Sequence, residues 1–415
     1  MLKRNLLPNF KKLIDNGVSS KLRVTVPPVT IPSWPCIFSG ITPYQLGYFW
    51  FIHPKKGLFN SKFWRDKAIF SIKSLRSFVL NVPGTYPAWP INGEMITGML
   101  SPQISYYPEN LNFSNKNEVI IDGRNINQIF KAFEIKKEIF LKKLEDDFDL
   151  LIYVIRMPDA LSHHAKQSIT KTLNYIYLSY KKIDNFLSEI LKNQDVDNII
   201  IFSDHGLHNY KNVFYLRHWL KKKGFLKIET QSKTKILESL MLKIYENFRI
   251  FLKPNLFSKK VFTRILLNKE KKEEKHLKFS DKRLNKLLVQ NHCSNVGSLF
   301  LYSDNKLKKD AIEAELKKEK CVKEVISPSK KDFPTFFIKL DDDYYFNDDP
   351  SLFVKRKTDT IEHSQTGLFI AYGKKIKHKK LNCIDYYDIA PTILKLFNID
   401  KKDYMSGNQL DIIKN

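Results

Sequence analysis

Cysteine is scarce and scattered. The four in the chain, Cys36, Cys293, Cys321 and Cys383, form no C-x-x-C pair, which argues against a zinc knuckle or a disulfide scaffold and fits a reducing compartment. No apolar run reaches the roughly 18 residues that span a bilayer, and the opening MLKRNLLPNFKKLIDNG lacks the continuous apolar stretch of a signal peptide. The chain therefore reads as soluble and cytoplasmic, and it contains no internal repeat. Acidic residues are also short, 44 against 70 basic ones for a net charge of +26. Such an excess could attract nucleic acid, anionic lipid or a phosphorylated substrate. The lysines, however, are dispersed among Asn, Ile and Phe, as AT-rich codon usage would produce. Nucleic acid is accordingly not expected as a partner.

What is present is the material of a folded protein. A chain of 415 residues, 43% hydrophobic and 13% aromatic, can bury a large core as one big α/β domain or as two of ordinary size. An opening helix leads into VTVPPVTIPSWPCIFSG, residues 24–40, where four prolines stiffen a turn that carries two threonines. From there to about Leu141 the many Tyr, Pro and Gly predict loops. LLIYVIRM, starting at Leu150, and NIIIFSDHG, starting at Asn198, read as short strands buried on both faces. Between them, residues 169–191 predict a helix with Leu173, Ile176, Leu178, Ile183 and Leu187 as its apolar stripe. Strand, helix, strand is a βαβ crossover, so a parallel sheet is expected. Residues 231–288 read as a basic helical insertion with a solvated face. GSLFLY, GLFIAYG and the turn-to-helix DYYDIAPTILKLFNI complete the ordered pattern, while LDDDYYFNDDP lacks the spacing of a known calcium loop and reads as a turn.

Functional groups in α/β sheets gather past the carboxyl ends of strands. LLIYVIRM runs into PDALSHH, and a helix beginning there would put Asp159 and His163 on one face. NIIIFS runs into Asp204 and His205, with Gly206 permitting a tight turn, and His363 precedes GLFIAYG. Two carboxylates and three imidazoles form a ligand set for zinc or a similar transition metal, enough for a two-metal site. Such a site can polarise a phosphoryl oxygen and activate a hydroxyl. Thr30, on the stiffened turn, is the candidate nucleophile. Ser33, three residues on, could donate to a phosphate oxygen.

These motifs resemble the type I phosphodiesterase/nucleotide pyrophosphatase family of the alkaline phosphatase superfamily. The nucleophile turn of that family corresponds to TIPSWPCIFSGITPYQLG, its Asp-x-x-x-His pair to PDALSHH, its Ser-Asp-His-Gly motif to FSDHGLH, and its closing helix to DIAPTILKLFNI. The resemblance implies a single alkaline-phosphatase-like domain over residues 1–415, with 231–288 as an insertion or cap. Its α/β fold would be a three-layer sandwich with a mostly parallel central sheet. It implies that Asp159, His163 and His363 hold one metal and that Asp204, His205 and Thr30 hold the other, the ions being zinc, with manganese as the alternative. The function implied is metal-dependent hydrolysis of phosphodiesters or pyrophosphates in a small phosphate-ester substrate.

The chain departs from the family pattern twice. The family's hydrophobic first strand, ending in an Asp-Gly whose Asp is a metal ligand, has no counterpart, so a central strand and one ligand are expected to be missing. Ser33 stands where nucleotide pyrophosphatases often carry Asn. A sulfatase would need a Cys or Ser followed by x-Pro-x-Arg, which CIFSG lacks, and a phosphoglycerate mutase relative would use Ser and carry an inserted domain. The alternatives are a phosphomonoesterase- or sulfatase-like relative, and an inactive remnant acting as a binding protein.

Overall fold

The structure, a computed structural model, describes residues 1–53, 56–113, 125–164, 168–225, 287–291, 294–301, 306–328, 334–347 and 357–414. The expected insertion lies outside these residues, save for its last two, which begin a strand at Leu287–Asn291. In chain order the elements that frame the site are α1 (Pro8–Asn16), β1 (Val18–Arg23), α2 (Thr30–Ser39), β2 (Ser77–Leu80), β3 (Gly93–Ile96), β4 (Tyr106–Tyr107), α3 (Ile126–Lys143), β5 (Leu150–Tyr153), α4 (Met157–His164), α5 (Ile169–Ile190), β6 (Asn198–Phe202), β7 (Gly206–Phe214), β8 (Lys357–Ser364), β9 (Thr366–Gly373), β10 (Lys379–Asp385) and α6 (Ile389–Leu396).

Eight of these strands form the middle layer as two four-stranded halves, β10-β1-β9-β6 and β4-β3-β2-β5. β10, β1 and β6 run one way, with β9 reversed between β1 and β6. In the other half β3, β2 and β5 are parallel and β4 is reversed. Residues just past the carboxyl ends of β5 and β6 meet, with His205 Nε2 3.9 Å from Asp159 Oδ1, so the two halves point the same way. Six of the eight strands then share one direction, the α/β architecture expected from the crossover.

Each face of this layer is covered by one apolar cluster. The first holds Val18, Leu22, Val79, Ile152, Phe369 and Ala371 from the strands with Trp34 and Ile37 of α2 and Ile389 and Ile393 of α6. The second holds Phe78, Leu80 and Ile370 with Phe10 and Leu13 of α1, Phe133 and Phe140 of α3, and Ile183, Phe186 and Leu187 of α5. Both clusters reach across the two halves. A further four-stranded sheet, Leu287–Asn291 with Val296–Leu301, Phe336–Leu340 and Val322–Ile326, stands outside this layer.

Several elements differ from the sequence reading. The chain after α1 forms strand β1, which pairs with both β9 and β10. The proline stretch is a helix from Thr30 onward, interrupted at Ile31 (φ −112°, ψ 116°) and carrying Pro35, and all ten of its residues are buried. Pro32 falls in the first turn, where its missing N–H removes no intrahelical bond, and apolar packing on every side stabilises the helix despite Pro35. Residues 126–143, read as loop, form α3, opened by Asn125 accepting from the Gln128 N–H. In α5 the inward stripe runs through Thr172, Ser179, Ile183, Phe186, Leu187 and Ile190, while Leu173 and Leu178 are exposed. The small Thr172 and Ser179 sit where larger apolar residues were expected. β5 and β6, read as buried on both faces, are for the most part only half-buried, and among the described residues each pairs on one edge.

Candidate metal centre

The site begins where β5 ends. Pro158 suits the first turn of α4, and Asp159 beside it places a carboxylate at the positive end of the helix. One turn later, His163 Nε2 lies 3.0 Å from Asp159 Oδ1, the i, i+4 geometry the spacing predicts. The third group arrives from 200 residues away in sequence: His363 Nε2 is 3.3 Å from both His163 Nε2 and Asp159 Oδ1. Among the described residues these three are the group of His, Cys, Asp and Glu side chains whose ligand atoms all lie within 4.8 Å of one another.

His363 is fixed at both ends. Its carbonyl accepts from Tyr210 Oη at 2.8 Å, and its Nδ1 lies 3.1 Å from the carbonyl oxygen of Pro28. An N–H at Nδ1 donating to that carbonyl leaves the Nε2 lone pair aimed at Asp159 and His163, the arrangement metal-ligating imidazoles adopt. Burial, reinforced by the charge of His205, lowers the His363 pKa to about 3, so the ring is neutral at physiological pH. Asp159 is pulled upward by burial, but His163 and His363 outweigh that and hold it well below the usual carboxylate range. Arg156 Nη2 stands 3.6 Å from its other oxygen. The buried Asp159 Oδ1 nonetheless makes no well-formed hydrogen bond. A carboxylate oxygen without a proper donor, facing two imidazole nitrogens, fits a cation at their common focus.

Asp204 and His205 stand beside this group. Ser203 anchors them to β9, its N–H donating to the Leu368 carbonyl at 3.1 Å and its Oγ accepting from the Leu368 N–H at 2.9 Å. His205 Nε2 lies 3.7 Å from Asp204 Oδ2, and its ring stacks on that of His363 at 3.7 Å between centroids and 18°. Burial raises the Asp204 carboxyl above its ordinary value. Gly206 does not make the expected tight turn. It opens β7, opposite Ser364 of β8, and a Cβ there would sit 2.0 Å from the Thr366 carbonyl oxygen, so its small size is what the site uses.

Thr30 is the buried first residue of α2. It is tied to the histidines through Pro28, two residues earlier, whose carbonyl holds His363. Ser33 is fully buried, its Oγ 2.5 Å from Thr25 Oγ1, which in turn donates to the Pro27 carbonyl at 2.8 Å. The sequence reading thus assembles five ligand-type residues in one place but misses Pro28, Tyr210 and Arg156 as their supports. A proline carbonyl leaves no mark in residue type, whereas Arg156, next to the Pro-Asp step, was open to inspection.

A family model described as type I phosphodiesterase / nucleotide pyrophosphatase matches residues 1–352. No curated protein matches the sequence. Among solved structures, human ectonucleotide pyrophosphatase / phosphodiesterase 5 aligns with a TM-score of 0.57 at 14% identity, covering 99% of this chain and 95% of that one. An inactive variant of the murine counterpart in complex with AMP aligns at 0.55 and 12%, covering 98% and 94%. Phosphonoacetate hydrolase from Sinorhizobium meliloti 1021, in complex with phosphonoformate, aligns at 0.58 and 12%, covering 94% and 89%. At these identities the structural likeness is one of fold.

Proposed function

The chain belongs to the type I phosphodiesterase / nucleotide pyrophosphatase family, and on that premise we propose that it hydrolyses phosphodiester or pyrophosphate bonds with Thr30 as nucleophile and two divalent ions as cofactors. Asp159, His163 and His363 would hold one ion, and Asp204, His205 and Thr30 the other. The observation that carries this reading is the convergence of Asp159, His163 and His363 within 4.8 Å. Ions bound there would supply charge that polarises the phosphoryl group and makes the threonine hydroxyl easier to ionise.

The protein's own contribution is positional. Thr30 Oγ1 attacks phosphorus, the bond to the leaving oxygen breaks, and water then cleaves the phosphothreonine, releasing the product and restoring the hydroxyl. Burial in α2 limits the rotamers and the water available to Thr30. His363, neutral and held by Pro28, couples the geometry of the turn to that of the ligands. The AMP and phosphonoformate bound by the structural relatives support a small substrate carrying a phosphoryl or phosphonyl group.

The test is Thr30→Ala assayed on an aryl phosphodiester with zinc or manganese. Activity is expected to fall on the order of a thousandfold or more while the ion held by Asp159, His163 and His363 stays bound. A variant within tenfold of wild type would mean that water attacks directly.

A further inference from the structure

Thr25 and Ser33 are fully buried, and their hydroxyls touch. Thr25 Oγ1 donates to the Pro27 carbonyl at 2.8 Å. A threonine hydroxyl carries a single proton, so in the 2.5 Å contact between the two side chains Ser33 Oγ is the donor and Thr25 Oγ1 the acceptor. The hydrogen bonds therefore run one way, from Ser33 to Thr25 to Pro27. Ser33 then has no proton left for a phosphate oxygen, the role its place in the sequence suggested.

This relay ends beside the carbonyl that holds the site. Pro28 lies between two peptide carbonyls that are themselves held. The Pro27 carbonyl accepts from Thr25 Oγ1 and from the Val29 N–H at 3.0 Å, and the Val29 carbonyl accepts from the Ser33 N–H at 3.1 Å. Ser33 thus acts on both sides of Pro28, through Thr25 on one and through its own N–H on the other. Neither Pro27 nor Pro28 has an N–H with which to anchor itself, and the Pro28 ring fixes φ, so with both neighbouring carbonyls held the Pro28 carbonyl has little freedom to turn. That carbonyl oxygen lies 3.1 Å from His363 Nδ1. A backbone bond ties the same two segments together, the Val24 N–H donating to the Gln365 carbonyl at 3.0 Å.

We propose that Ser33 and Thr25 are positioning residues of the metal centre, their hydroxyl relay holding the Pro28 carbonyl against His363 so that Nδ1 keeps its proton and Nε2 faces Asp159 and His163. This role rests on the metal centre proposed above. Without the relay the carbonyl can turn away, and a neutral imidazole then divides between two tautomers, of which only one presents a lone pair at Nε2. Outer partners of this kind change metal affinity by about 10- to 100-fold.

The experiment uses the full chain and the variants Ser33→Ala, Thr25→Val, Thr25→Ser and the double variant of the first two. The tautomer of His363 is read in metal-free protein by nitrogen NMR with labelled histidine, His363→Gln identifying the signal, and zinc affinity is read by competition with a chromophoric chelator. Wild type and Thr25→Ser should show the Nδ1–H tautomer. Ser33→Ala and Thr25→Val should show a mixture and bind zinc about tenfold more weakly or worse. The double variant should be no weaker than the worse single one, because the two hydroxyls act in series. The proposal is overturned if wild-type His363 carries its proton on Nε2, or if the losses of the two single variants add. It is also overturned if tautomer and zinc affinity stay unchanged, whether KM for an aryl phosphodiester rises, which would make Ser33 a phosphate contact, or only the thermal midpoint falls, which would make the pair mere packing. A wild type that binds no zinc would refute the metal centre instead, and the tautomer signal would still decide the relay.

Discussion

Lys136 of α3 shows how much one side chain can cost within this fold. It is 4% exposed, and its ammonium donates to Asn81 Oδ1 at 2.8 Å while Asn81 Nδ2 donates to the Val154 carbonyl at 2.7 Å, just past β5. Burial lowers its pKa to about 7. In the unfolded chain the lysine keeps its proton up to about 10.4. Between those values the unfolded state binds more protons, so stability rises with pH from about 7 to 10.4, and below about 7 the full penalty applies. Lys136→Met should remove that rise. The stability of the variant relative to wild type should therefore fall, on the order of a few kcal/mol, between pH 6 and pH 10. Urea unfolding at the two pH values measures this, and a pH-independent difference would show that Lys136 is not buried as a charge. Unlike the site histidines, this lysine was invisible as special in sequence, since lysine is the chain's ordinary surface residue.

Between elements, the junction of α1 with α5 rests on one carboxylate. Asp184 Oδ1 accepts from the Phe10 N–H at 2.8 Å and Asp184 Oδ2 from the Asn9 N–H at 3.3 Å, so a residue of α5 caps the first turn of α1. The N-cap of α1 itself, Leu7, has no side-chain cap to offer. Asp184→Ala leaves those N–H groups buried without an acceptor and should cost about 1–3 kcal/mol. Asp184→Asn keeps an amide oxygen and should cost less. Denaturant midpoints of both variants decide it, and equal losses would mean that the negative charge matters more than the acceptor. The helix-strand alternation of β5, α5 and β6 was legible because apolar period and length are local signals. The cap was not, because α1 and α5 meet only through the tertiary fold.

At the scale of the whole molecule, metal binding should be readable as stability. An ion bound only by the folded state stabilises it by about 2.7 kcal/mol at a hundredfold its Kd. Spread over the unfolding entropy of a 415-residue chain, at about 2.1 cal/mol/K per residue, that raises the thermal midpoint by about 3 °C. Zinc should produce this rise, EDTA should reverse it, and His163→Ala should abolish it. A variant that responds like wild type would place the zinc elsewhere.

The sequence by itself determined the kinds of candidate ligand and their local spacing. Asp159 and His163 sit one turn apart because the helix period puts i and i+4 on one face, and Asp204 and His205 follow a strand because apolar runs end in polar residues at sheet edges. Only the tertiary structure decided how closely His363 approaches the Asp159 and His163 pair and that the Pro28 carbonyl sets its tautomer. The reason is physical: periodicity records which way a side chain faces, whereas strand order and the partner of a backbone carbonyl depend on how distant segments stack, and no residue type carries that information.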